Sequence, residues 1–321
     1  MENPWVLLNR DFTWVLWRHL YDVVVEFGLR NSILAIRFDR LADDNEPTSE
    51  LNLSYGRNWL SALYQGVITI LTFPIFIFYP ILMLSAFIKE VTRPASPALI
   101  NSHPDEKWFF INGVVVDKGW LNENCKYLEK RFGRGVTGIL NTSYGFIWDL
   151  VETALQRSFD IQTVSVRWAT YNILPALRDK NYTTVRIIAH SQGAIIANLV
   201  LQKLYIELSR AGKQDDLKKL EVYTFANASR EFLNPGNLVR RIEHYANRRD
   251  PIAKFGVLDQ LNNGRFQGEI FVNSYRNQGK GHLFNAFYSL DKADYKPVKN
   301  DDAIPELLQL PGRVDNLPIQ L

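Results

Sequence analysis

The segment that most limits what this chain can fold into is VRIIAHSQGAIIA, residues 185–197. A β-branched run reads as a buried strand, and the small-residue run after Gly193 reads as a helix. Between them Ala189-His190-Ser191-Gln192-Gly193 must turn one into the other with almost no chain to spare. In so sharp a turn the residues two before and two after the serine lie against neighbouring backbone and must be small; here they are Ala189 and Gly193. A serine at that point presents its hydroxyl at a helix N-terminus, where unpaired N–H groups and the helix dipole favour developing negative charge. A strand that passes into a helix in this way implies a βαβ unit and a mainly parallel sheet.

The same alternation runs through the second two-thirds of the chain. Strands are expected at 107–116, ending in a turn at Asn112-Gly113, and at 136–140, 185–189, 220–226, 241–247 and 269–274. Helices are expected at 122–132, closed by Gly133, and at 192–211. Another is expected at 144–158, with Phe146, Ile147, Leu150, Val151, Ala154 and Leu155 as its apolar face. Residues 164–177 read as a strand end followed by a helix. Upstream, 32–41 and 51–55 are candidate edge strands. The tail from Asp291, with Pro297, Pro305, Pro311 and Pro318, reads as irregular surface chain. A hydrophobic fraction of 46% is enough to bury a full core, and a net charge of +3 over this length does not suit a nucleic-acid binder. A single cysteine, Cys125, excludes an intramolecular disulfide and any multi-cysteine metal site.

Residues 1–106 follow a different pattern. Trp5, Leu8, Phe12, Val15, Leu16, His19, Leu20 and Val23 recur at helical spacing, and the charges among them exclude a secretory signal. From Asn58 to Ile88 no residue is charged. An apolar run of that length is the sign of a membrane segment, with Trp59, Tyr64 and Tyr79 suited to interface depth. One crossing needs about 20 residues and two need about 40. The run therefore fits one crossing, or a shallow re-entrant pair broken around Pro74 and Pro80. Three basic residues on each side give no orientation signal. Residues 92–106 are rich in proline, serine and small residues. The chain thus divides into an N-terminal helix with two candidate edge strands (1–57), an apolar membrane-associated helical segment (58–90), a linker (91–106) and an α/β domain (107–321).

The strand–turn–helix around Ser191 resembles the nucleophile motif of the α/β-hydrolase superfamily of serine hydrolases, in particular its lipase- and esterase-like members. Ala189 stands where the common motif has glycine. The resemblance covers roughly residues 107–290 and implies a mainly parallel sheet flanked by helices, with a base and an acid later in the chain in the order Ser, Asp or Glu, His. Of the five histidines, His19 and His103 precede the serine. His190 adjoins it and is expected to point away from the catalytic face, and His244 is expected to face the surroundings of the sheet. His282, in a glycine loop after the strand at 269–274, remains as the base. Asp250 follows the strand at 241–247 in Asn-Arg-Arg-Asp-Pro and is the expected acid, with Asp259 behind it. Two oxyanion donors are needed: the amide of Gln192, and that of Val114 or, as second choice, Gly113.

The resemblance implies a serine hydrolase; the apolar stretch, which would hold the site at a bilayer, points to membrane association and to a lipid or other hydrophobic ester as substrate, the partners being that ester and membrane lipids and not nucleic acid. A thioesterase or acyltransferase with the same three residues is the alternative, or a non-catalytic membrane-bound interaction protein on this fold. No phosphate-binding glycine loop and no metal-ligand cluster appears, so no cofactor or metal is expected. Asn52, Asn141, Asn181 and Asn227 match the glycosylation pattern.

Overall fold

The computed structural model describes residues 56–72, 103–141, 149, 152–153, 156–157, 163–261, 263–273 and 281–312. The expected helix within 1–30, the strands at 32–41 and 51–55, the apolar run beyond residue 72, the linker up to 102 and the tail beyond 312 lie outside them. So does most of the helix at 144–158. In chain order the elements are α1 (Gly56–Thr72), β1 (Glu106–Ile111), α2 (Lys118–Phe132), β2 (Val136–Ile139), α3 (Val164–Arg178), β3 (Thr184–His190) and α4 (Gln192–Arg210). There follow β4 (Leu220–Phe225), β5 (Arg241–Asn247), α5 (Pro251–Phe255), β6 (Glu269–Asn273), α6 (Phe284–Phe287), β7 (Tyr295–Pro297) and α7 (Glu306–Gln309). Asp149, Glu152, Thr153, Gln156 and Arg157 are helical between β2 and α3.

The seven strands form one sheet in the order β2-β1-β3-β4-β5-β6-β7, parallel throughout except for antiparallel β7. Both faces are covered, which is why the strands read as continuous apolar runs. Side chains still alternate. Phe109, Ile111, Ile187, Ala189, Val222, Ile242 and Ile270 pack under α3 and α4. Trp108, Phe110, Ile188, Tyr223, Tyr245 and Phe271 pack under α2, α6 and α7. The chain runs one way from β1 to β2 and the other way from β3 to β7, so the strand order reverses between β1 and β3. A crevice opens beyond the carboxyl ends of strands at such a point. At the opposite end of β3, Arg186 bonds Glu106 at 2.5 Å and pairs with Glu221. Arg134 and Arg240 extend this charged ladder across three strands.

Four expectations are corrected. Residues 164–177 hold no strand end; α3 is helical from Val164, because Val166, Ala169, Ile173 and Leu177 fall on one buried face at helical spacing. Helix α2 starts at Lys118 rather than 122: the Asp117 carboxylate accepts the Trp120 N–H at 2.8 Å and caps it. Its end at Gly133 has φ 67°, a left-handed turn that glycine takes without strain. The tail after Asp291 is not merely irregular surface: Tyr295 in β7 and Leu307 and Leu308 in α7 are buried. Glu106, assigned above to the linker, is the first residue of β1.

Among the described residues no helix is long and apolar enough to cross a membrane. Among its described side chains, helix α1 is inside out. It buries Asn58 and Ser61, while Leu60 is 64% and Tyr64 50% exposed, and Trp59, Leu63 and Val67 are exposed with them.

Candidate active site

Ser191 joins β3 to α4 with φ 59° and ψ −125°. A non-glycine residue there is strained, and such strain persists only where the surroundings hold it. The hold is visible on both sides. The Ser191 amide donates to the Phe225 carbonyl at 2.9 Å. A Cβ at Gly193 would stand 2.3 Å from the Ile111 oxygen, and one at Gly113 would stand 2.4 Å from Ser191 Cβ. The two glycines thus let the loop after β1 close onto the turn, directly across the strand-order reversal.

The structure brings Ser191, His282 and Asp250 together. His282 Nε2 lies 2.8 Å from Ser191 Oγ, and Nδ1 lies 3.0 and 2.9 Å from the two Asp250 oxygens. An ionised carboxylate only accepts hydrogen bonds. With Nδ1 donating to Asp250, Nε2 is left to accept from the Ser191 hydroxyl. All three side chains are buried. Asp250 follows β5 and caps α5, its Oδ1 accepting the Ile252 N–H at 2.8 Å and the Ala253 N–H at 3.4 Å. Asp259 is exposed and accepts from the neighbouring Gln260 side chain.

Two contributors escaped sequence reasoning. Tyr288 donates its hydroxyl to Asp250 Oδ2 at 2.6 Å. Burial and the adjacent Asp250 charge raise its phenol well above the usual tyrosine range, so it stays a donor. His190 does not point away. Its Nε2 donates to the His282 carbonyl at 2.8 Å, and the two rings are 4.7 Å apart. Burial, then the neighbouring His282, lowers the His190 pKa well below the ordinary histidine value, which keeps the ring neutral. His244 lies between Phe232 and Phe266, bonded to Thr224 Oγ1 at 2.7 Å and to the Gln267 carbonyl. Burial pushes its pKa down to about 4.

The loop after β1 is held from behind. Asn112 donates to the Gly113 and Asn141 carbonyls and accepts the Asn141 N–H at 2.7 Å, tying the ends of β1 and β2 together. Val115 has φ 62°, and its N–H goes to Asp149 Oδ2 at 2.7 Å. Gln192 opens α4, so its N–H is among those with no partner within the helix. Its side chain accepts from Asn141 Nδ2 and donates to Gln156 Oε1. Glu152 stands beside this network. Burial, helped by Asp149, pushes its carboxyl up to about 8. Of the glycosylation-pattern residues, Asn141 and Asn227 are buried and bonded, Asn181 is exposed, and Asn52 lies outside the described residues. The Cys125 thiol is buried, and burial pushes its pKa up.

No protein-family model and no curated protein matches the chain. Among solved structures the chain is similar to an esterase of Pyrobaculum calidifontis, with 9% identity over 68% of this chain and 83% of that one. The TM-score is 0.32. A likeness of that size carries no argument about activity.

Proposed function

We propose that the chain is a serine hydrolase that cleaves a carboxylic ester of a lipid or other hydrophobic substrate and works at a membrane surface. One observation carries the hydrolase reading: the unbroken line from Ser191 Oγ through the His282 ring to Asp250, at a strained strand-to-helix turn. In this reading Ser191 Oγ attacks the ester carbonyl while His282 Nε2 takes its proton. The tetrahedral oxyanion takes N–H bonds from Gln192 and from Val114 or Gly113. Collapse breaks the carbon–oxygen bond as His282 returns the proton to the leaving alcohol. Water, deprotonated by the same ring, then frees the acid and regenerates Ser191.

Membrane association is supported by the inverted helix α1 and by the lack of charge from Asn58 to Ile88. A helix that turns polar residues to the protein and aromatic and aliphatic ones outward suits the headgroup boundary. It also lies near the site, since Ser61 Oγ donates at 2.8 Å to Asp117, the residue that closes the loop after β1.

The test is fluorophosphonate labelling of the full chain. Wild type labels and Ser191→Ala does not; equal labelling of the two overturns the assignment. For the membrane, Leu60→Asp with Leu63→Asp weakens flotation with phosphatidylcholine vesicles and leaves hydrolysis of a short soluble ester intact. Undiminished flotation removes α1 from the reading.

A further inference from the structure

The helical residues between β2 and α3 touch several of the segments around Ser191. Asp149 Oδ2 accepts the Val115 N–H in the loop after β1. Gln156 accepts from the Gln192 side chain, next to the nucleophile. Arg157 donates to the Ala228 carbonyl, in the loop after β4, at 3.1 Å, and to the Phe255 carbonyl at the end of α5 at 3.2 Å. Its guanidinium also lies 4.0 Å from the centre of the Phe255 ring. Asp250 caps that same short helix. These polar groups are buried, and a chain buries such groups together only where their partners are in place.

The contact at Val115 is the most demanding. A β-branched residue with φ 62° is an outlier that relaxes unless something prevents it. Its amide meets a buried carboxylate at 2.7 Å, a charge-assisted bond of the strong kind. Thr153 Oγ bonds the Asp149 carbonyl at 2.6 Å and fixes the turn that carries the carboxylate. The Val115 N–H is taken, and where the amides of Gly113 and Val114 aim depends on how this next peptide is held. We propose that Asp149 is a positioning residue: it holds the strained peptide at Val115 so that the preceding amides face the carbonyl oxygen under attack. The proposal rests on the hydrolase reading. It adds to it a group that touches neither substrate nor the reacting atoms.

The experiment counts sites and turnover separately. Full-length wild type, Asp149→Ala, Asp149→Asn and Asp149→Glu are titrated with a fluorophosphonate, and hydrolysis of p-nitrophenyl butyrate is expressed per titrated site. A merely structural role lowers the number of sites and not the turnover of each. Asp149→Ala is expected to cut kcat per site about tenfold to a hundredfold, as misplacing a catalytic donor does, with KM little changed. Asp149→Asn keeps an oxygen for the Val115 N–H and restores most of the loss. Wild-type turnover per site in Asp149→Ala, or no rescue by Asp149→Asn, overturns the proposal. Should Asp149→Ala yield no titratable sites, Asp149→Glu decides: it keeps the charge one methylene too far out, and an undiminished kcat per site overturns the proposal equally. Failure of the hydrolase reading shows elsewhere, as wild type that does not titrate.

Discussion

Asp250→Asn separates what the carboxylate does for the fold from what it does for the base. Asp250 Oδ1 faces two N–H donors, those of Ile252 and Ala253, so the amide oxygen of an asparagine must take that place. Its NH2 group then falls where Oδ2 was, against His282 Nδ1 and the Tyr288 hydroxyl. Two donors cannot face each other, and the oxygen that remains 3.0 Å from Nδ1 already takes two N–H groups, so the tautomer with Nδ1 bare and the proton on Nε2 is favoured. Nε2 then donates toward Ser191 and can no longer accept its proton. Loss of the working tautomer costs about 10⁴-fold in kcat, or about 5.5 kcal/mol at about 1.36 kcal/mol per tenfold. The fold is touched far less. Asparagine caps a helix as well as aspartate does. The main cost is the Tyr288 hydroxyl, which must turn round and leave its hydrogen unpaired, about 1–3 kcal/mol. Initial rates on a p-nitrophenyl ester, beside a thermal melt of the same samples, separate the two. A kcat within tenfold of wild type, at a preserved melting temperature, would refute the tautomer argument.

Three further outcomes follow from contacts already described. Gly113→Ala drives a Cβ to 2.4 Å from Ser191 Cβ and 3.0 Å from its Oγ; overpacking of this kind costs about 1–3 kcal/mol, and a fluorophosphonate labelling rate equal to wild type would contradict it. Arg186→Met removes the centre of the charged ladder while leaving Glu106 with Arg134 and Glu221 with Arg240. It is expected to cost about 1–3 kcal/mol by denaturant titration, against under about 1 kcal/mol for Arg240→Met, whose side chain is 44% exposed; equal losses would count against the ladder. His244, held to about 4 by burial, takes a proton in the unfolded chain at about 6.5 but resists it when folded. Its stabilising effect is therefore whole above about pH 6.5 and lost as pH falls toward 4, and His244→Gln should flatten melting temperature against pH across that window.

What the sequence showed and what it hid divide by distance along the chain. The turn at Ser191 is legible because everything that shapes it is local: a β-branched run, small residues two positions either side, a helix-forming run beyond. Strands β4, β5 and β6 are legible for the same reason. Residues 164–166 mislead because Val-Ser-Val favours a strand locally, and burial of the α3 face overrides it. Tyr288 and Asp149 carry no signal in their own neighbourhoods; each matters through one bond to a residue that only folding brings near. His190 is the reverse case. Its place next to Ser191 is obvious, but its direction depends on the loop that arrives from beyond β6.

That last contact sets how the imidazole of His282 can move. Its backbone carbonyl is pinned by His190 Nε2, at the end of the very strand that leads into Ser191. Its Nδ1 is pinned by Asp250. With its main chain held at the one point and its ring at the other, the imidazole has little freedom to travel. In the proposed cycle it can only pivot, swinging Nε2 through a short arc between the serine oxygen and the departing alcohol. The span of that arc, and with it the position a leaving group must occupy to receive its proton, is set by the His190 side chain at the end of β3 together with Asp250.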